Sequence, residues 1–202
     1  MPGGLAMGTS YSVAALLGSE ITGSDTLGAI AAVGLSIGQS FAGIPVAVLM
    51  AKRGRRIGIG TAYLVGAMGA TCALFAALTE TYLLLVVGMT LCGCGQAGNL
   101  AARYAGSDLA TDRDRGRSIS LVVWGNTVGS VLGPTVGLGL RSLAGSSEGG
   151  SGFIFSYMVS ITLFIVASGV ILRRLRPDPL LLVANASDTA IRGPRFSDLG
   201  LI

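Results

Sequence analysis

Charge in this chain is confined to short stretches, and the runs between them are long, apolar and rich in glycine. That distribution constrains the fold more than any single motif. Only 12% of the residues are charged while 51% are hydrophobic, and the mean hydropathy is +0.71. A soluble domain carries about twice that share of charge. A chain of this kind has lipid as its main solvent.

A helix that crosses the hydrocarbon core needs about 20 mostly apolar residues. Six segments meet this pattern: Gly4–Ser19, Thr26–Ala51, Ile57–Leu78, Tyr82–Leu109, Ser118–Leu140 and Phe153–Leu172. The first is short and has no positively charged leader ahead of it, so it reads as a span rather than a signal peptide. Residues 1–176 therefore read as an all-α polytopic membrane unit of six transmembrane helices. Residues 177–202 hold mixed charge and one short apolar run, and read as a linker or tail.

The basic residues fix an orientation. Lys52, Arg53, Arg55 and Arg56 follow the second segment, Arg113, Arg115 and Arg117 the fourth, and Arg173, Arg174 and Arg176 the sixth. The odd-numbered connections carry Glu20, Asp25, Glu80 and Glu148, with Arg141 as their basic residue. Cytoplasmic loops are the basic ones, which puts both termini in the cytoplasm of a multi-pass plasma-membrane protein. The net charge of +4 is thus a topology signal and not a nucleic-acid patch.

Histidine is absent, which removes the commonest metal ligand and the commonest general base together. Cys72, Cys92 and Cys94 lie in apolar segments and read as small packing residues. Neither a metal nor a cofactor is expected. Catalysis is not expected either: an intramembrane serine protease, for example, needs a base beside its serine.

The fifth segment contains GNTVGSVLGPTVG, with Gly125, Gly129, Gly133 and Gly137 at intervals of four and Pro134 beside the third. In a water-exposed helix glycine and proline cost about 1 and 3 kcal/mol relative to alanine. Between lipid-facing helices the balance changes, because leucine gains nothing by leaving acyl chains and only close backbone approach holds helices together. The stripe reads as a groove for a neighbouring helix, and Pro134 as a bend facing protein or water.

Three motifs, in their order along six segments, resemble the major facilitator superfamily. AVLMAKRGRRIGI, between the second and third segments, is similar to the family's loop signature at Leu49, Lys52, Gly54, Arg55 and Arg56. Ala51 stands where that signature has aspartate. VVGMTLCGCGQAG resembles a fourth-helix segment through Gly93 and Gly95, with Met89 in place of arginine. GSVLGPTVG resembles the antiporter motif at Gly129, Gly133, Pro134 and Gly137.

The resemblance implies the amino-terminal half-bundle of a secondary transporter, paired with a second six-helix half from the same gene or from another copy of the chain. It implies a cytoplasmic gate at Lys52, Gly54, Arg55 and Arg56; with Ala51 in place of the family's aspartate, Asp108 or Asp112 at the end of the fourth segment is the expected carboxylate for Arg55. The antiporter motif implies proton-coupled efflux. Proton coupling needs a group that titrates within the membrane, and no histidine or mid-depth carboxylate is present in these segments, so the coupling stays open. The alternative is a truncated, non-transporting membrane remnant.

Polar residues inside spans usually face a cavity. Gln96, Asn99 and Arg103 recur on one face of the fourth segment, and with Asn126 they are the expected lining for an unidentified small molecule. Arg103 is expected to contact an anionic or polar group of that molecule, or a carboxylate of the second half. Thr9, Ser10, Tyr11, Ser12, Gln39 and Ser40 are weaker candidates, since Ser and Thr often bond back to their own helix. Reporters fused at residues 80 and 148 should both read as extracytoplasmic. A cytoplasmic signal from both would reverse the orientation.

Overall fold

The computed structural model describes residues 2–105, 114–143 and 150–175. Six long helices form: α1 (Pro2–Thr22), α2 (Asp25–Arg53), α3 (Arg55–Thr79), α4 (Tyr82–Ala105), α5 (Arg115–Leu143) and α6 (Ile154–Arg174). A single 3₁₀ turn, Gly150–Phe153, leads into α6. The expected ends of the fourth segment at Leu109 and of the half-bundle at residue 176 lie outside the described residues, as does the tail.

Local chemistry marks the boundaries. Asp25 opens α2, while Lys52 and Arg53 close it and Arg173 and Arg174 close α6, each charge complementing the helix dipole at its end. Gly54 alone separates α2 from α3, with φ of 88°. An L side chain there would be strained, so the sharp reversal needs glycine. Between α3 and α4 the turn is made by Glu80 and Thr81, Glu80 in the left-handed region.

The helices α2 to α6 are long and apolar enough to cross a membrane, and α1 is not among them. The expectation of six spans is therefore met by six helices of which five have that character. The physical reason lies in α1's composition, where Gly3, Gly4, Gly8, Thr9, Ser10 and Ser12 displace large apolar residues. These small residues face other helices: α1 packs on α5, α2, α6 and α4. Its surroundings are protein more than solvent of any kind.

The packing forms a cycle, α1 to α2 to α4 to α3 to α6 and back to α1, with α5 laid along the side of α1. Alanine and glycine make its tightest contacts, around a few large buried side chains such as Tyr157, Phe164 and Leu85, while many large apolar side chains face outward. Ala70, Ala73 and Ala76 of α3 are fully buried, whereas Phe41, Ile44 and Leu83 are 78%, 75% and 71% exposed. In water an arrangement with this outward belt would be disfavoured, since a soluble protein exposes no apolar surface of that extent. In a bilayer it is the stable one.

The glycine stripe of α5 meets α1 as expected. Asn126 lies at Gly4, Gly133 at Gly8, Gly137 at Val13 and Arg141 at Glu20, so the two helices run parallel and in register. A Cβ added to Gly133 would stand 2.5 Å from the Cα of Gly8 and 2.7 Å from the nitrogen of Thr9. Both neighbours are backbone, so neither can turn aside. Gly8 faces the Ser130 carbonyl, which Pro134 deprives of its helical donor. Thr9 Oγ1 donates to the Gly133 carbonyl at 3.2 Å, and Ser156 Oγ of α6 donates to the Gly137 carbonyl at 2.8 Å. The proline-disturbed turn is thus tied to both neighbours.

Gly133→Ala should destabilise the detergent-solubilised protein by about 1–3 kcal/mol, the usual cost of overpacking. Gly139→Ala, where a Cβ would meet nothing within 4 Å, should leave the melting temperature unchanged or raised. Equal melting temperatures for the two variants would remove the contact's structural role.

Candidate functional site

Among the described residues, polar side chains fall into separate cavities on different faces of α1. The first lies among α1, α2, α4 and α5 and has a volume of about 420 Å³. Its polar lining is Tyr11, Ser36, Gln39, Gln96 and Ser130, and Pro134 forms part of the wall. It is open on one side, where Tyr11, Ser36 and Ser130 are exposed. No charged side chain lines it among the described residues. A second groove of about 380 Å³ continues from Gln39 along α2 and α4 past Ser40 and Met50 to Tyr104.

The other cavity, about 260 Å³, sits among α1, α3, α4, α5 and α6. A hydrogen-bonded chain crosses its polar side. Tyr63 Oη donates to Asn99 Oδ1 at 3.1 Å, and Asn99 Nδ2 donates to Asn126 Oδ1 at 2.8 Å. All three residues are buried, so α3, α4 and α5 are stitched together at this level. Buried carboxamides are tolerated here because they satisfy one another.

The four expected lining residues therefore do not gather in one place. Gln96 lines the open cavity, and Asn99 and Asn126 bond to each other in the inner one. Three residues along a helix turn the side chain by about 60° short of a full revolution. That is enough to send Gln96 and Asn99 to different sides of α1. Arg103, in the last described turn of α4, lines neither cavity; it is half-buried, and its Nε is shielded from solvent without a hydrogen-bond acceptor.

The weaker candidates separate too. Tyr11 and Gln39 line the open cavity, while Ser12 and Ser40 bond to the carbonyls of Thr9 and Ser36 on their own helices. Sequence reasoning missed Ser36 and Ser130, which carry no pattern of their own. It also missed Tyr63, whose one cue is its place among the small residues Gly60, Ala62 and Gly66.

At the loop expected to form a gate, Gly54 makes the turn and Arg56 Nε donates to the Leu172 carbonyl at 2.7 Å. Arg56 thereby satisfies a carbonyl in the last turn of α6, where a positive charge suits the dipole. Arg55 is half-buried at the first residue of α3, and Lys52 is exposed. Asp108 and Asp112 lie outside the described residues. At the opposite end Arg141 pairs with Glu20, and its guanidinium carbon stands 4.4 Å over the Phe153 ring, joining α1, α5 and the entry to α6.

Comparison with known proteins agrees with this architecture. The sequence model of the Major Facilitator Superfamily matches residues 3–196. The chain is 33% identical over 187 residues to the uncharacterized MFS-type transporter YddS of Bacillus subtilis, covering 91% of this chain and 43% of that protein. It is 29% identical to YdeG of the same organism, an uncharacterized MFS-type transporter, covering 89% and 42% respectively. It is 22% identical to the riboflavin transporter RfnT of Brucella anthropi, covering 92% and 47%. Among solved structures, the Escherichia coli fucose:proton symporter FucP superposes with a TM-score of 0.65 at 16% identity, over 85% of this chain and 47% of that one. The chain thus spans less than half the length of the curated relatives it matches.

A double-mutant cycle on Asn99→Leu and Asn126→Leu should give a coupling energy of about 0.6–1.7 kcal/mol, the range for hydrogen bonds between helices in membranes. Additive effects would mean that the carboxamides do not act on each other.

Proposed function

The chain belongs to the Major Facilitator Superfamily, and from that premise we propose that it works as the amino-terminal six-helix half of a secondary transporter. All six helices cross the plasma membrane in this reading, α1 inside the bundle, with both termini cytoplasmic. A small molecule passes along the open cavity between α1, α2, α4 and α5. The observation that carries the reading is the cavity itself: a polar, half-open recess in a bundle with many large apolar side chains exposed on its outside.

A second six-helix unit, encoded with this one or supplied by another copy, closes the open side, since a substrate site in such transporters lies between two halves. The α5 motif adds support for movement. Gly133 and Pro134 sit where α5 touches α1, and Pro134 lines the cavity wall, so any shift of α1 against α5 changes the recess. The motif's likeness to antiporters favours export. The open cavity is lined by neither carboxylate nor histidine among the described residues, so proton coupling is assigned to a group outside this recess. Lys52, Gly54, Arg55, Arg56 and Asp108 form the cytoplasmic gate, with Gly54 as its pivot. One relative is named for riboflavin, a small organic solute, which supports a solute of that kind here.

Thiol labelling in membranes tests the reading. With Cys72, Cys92 and Cys94 replaced by alanine, Tyr11→Cys and Gln96→Cys should react with a water-soluble, membrane-impermeant reagent. Phe75→Cys, on the exposed apolar face, should not. Equal protection of all three positions would mean that the recess is not a water-filled path.

A further inference from the structure

Resting on the reading of the open cavity as the substrate site, we propose that its substrate is an uncharged polar molecule presenting a hydrogen-bond donor beside an acceptor, as an amide, imide or ureide edge does. Three observations combine. Gln96 Oε1 is shielded from solvent and has no hydrogen-bond partner, although it lines an open recess. A buried acceptor left unsatisfied is costly, so the carboxamide gains a partner if it turns into the recess and meets a donor brought by the ligand. Gln39, on the facing helix α2, lines the same recess and offers a second carboxamide. Each carboxamide carries an acceptor and a donor side by side, and the group that matches it in kind is another amide-like edge.

The absence of charge among the lining residues sets the sign. A charged solute leaving water for this recess would lose its hydration without a countercharge from this half, and an unpaired charge in a low-dielectric site is strongly disfavoured. The arginine of α4 does not alter this, because Arg103 does not line the recess. Tyr11 at the open side and Pro134, Met7 and Leu35 in the wall supply apolar surface, which suits the flat face of a ring attached to the polar edge.

Thermal-shift titration of the full chain in detergent tests this with matched pairs of probes: nicotinamide against nicotinate, uridine against uridine monophosphate, and riboflavin against riboflavin phosphate. At least one neutral member should raise the melting temperature while its charged partner does not. Gln96→Leu, which keeps the side-chain volume and should still melt cooperatively, should weaken that binding by about tenfold. Gln96→Asn should restore part of it.

Stabilisation by charged members alone, stabilisation by no neutral member, or a neutral shift untouched by Gln96→Leu would each overturn the proposed substrate class. The thiol at Gln96→Cys reports separately. If it is labelled from water while no neutral probe binds, the substrate class fails and the cavity stands. If it and Tyr11→Cys are both as protected as Phe75→Cys, the reading beneath it fails.

Discussion

The backbone of α1 touches the backbone of α5 at Gly8 and Gly133, and the rest of the bundle depends on that approach. In lipid no hydrophobic force draws these helices together, so their association rests on dispersion contacts and on a few hydrogen bonds between helices. Such contacts fade within an ångström of separation. A side chain at either glycine would hold the helices apart along their whole length, because they run parallel and in register from Gly4 and Asn126 to Glu20 and Arg141. The same economy of size recurs where Gly66 of α3 meets Gly95 of α4, and where Gly18 of α1 meets Gly28 of α2.

Drawing α5 onto α1 has a functional consequence. It makes α1 a partition: Asn99 and Asn126 close on each other and on Tyr63 on one side, while Gln96 looks into the open recess with Tyr11 and Gln39 on the other. One side is satisfied and structural, and the other keeps an unsatisfied carboxamide. The turn that carries Pro134 lies on the wall of the open side and is held by Thr9. Close packing, proline and recess therefore meet at one place. The two ends of the bundle are fastened separately, by Arg56 on the Leu172 carbonyl and by Arg141 between Glu20 and Phe153.

Much of this was legible in the sequence because membrane solvent imposes simple rules. Long apolar runs gave α2 to α6 within a few residues, the stripe of Gly125 to Gly137 announced a close neighbour, and the isolated Gly54 marked a turn that only glycine makes easily. The character of α1 was harder, since a helix surrounded by protein need not be apolar and its Gly, Ser and Thr residues lower the signal used to find spans. The joint lining by Gln96, Asn99, Arg103 and Asn126 was read from spacing on one helix. Spacing gives angles about an axis but not the position of the helix that divides them. The bond between Asn99 and Asn126 joins residues on separate helices, and no local pattern encodes it.

The most direct measurement is the register of α1 against α5 in a native membrane. A Cβ at Gly137 would stand 3.2 Å from Ser12 Oγ, close enough for a thiol pair to join. In a chain otherwise free of cysteine, Ser12→Cys with Gly137→Cys should oxidise to a bridge recovered as a linked peptide by mass spectrometry. Thiols at both positions that remain reactive yet never link, or that link instead to partners on other helices, would contradict the parallel contact from which the partition, the recess and the proposed substrate path all follow.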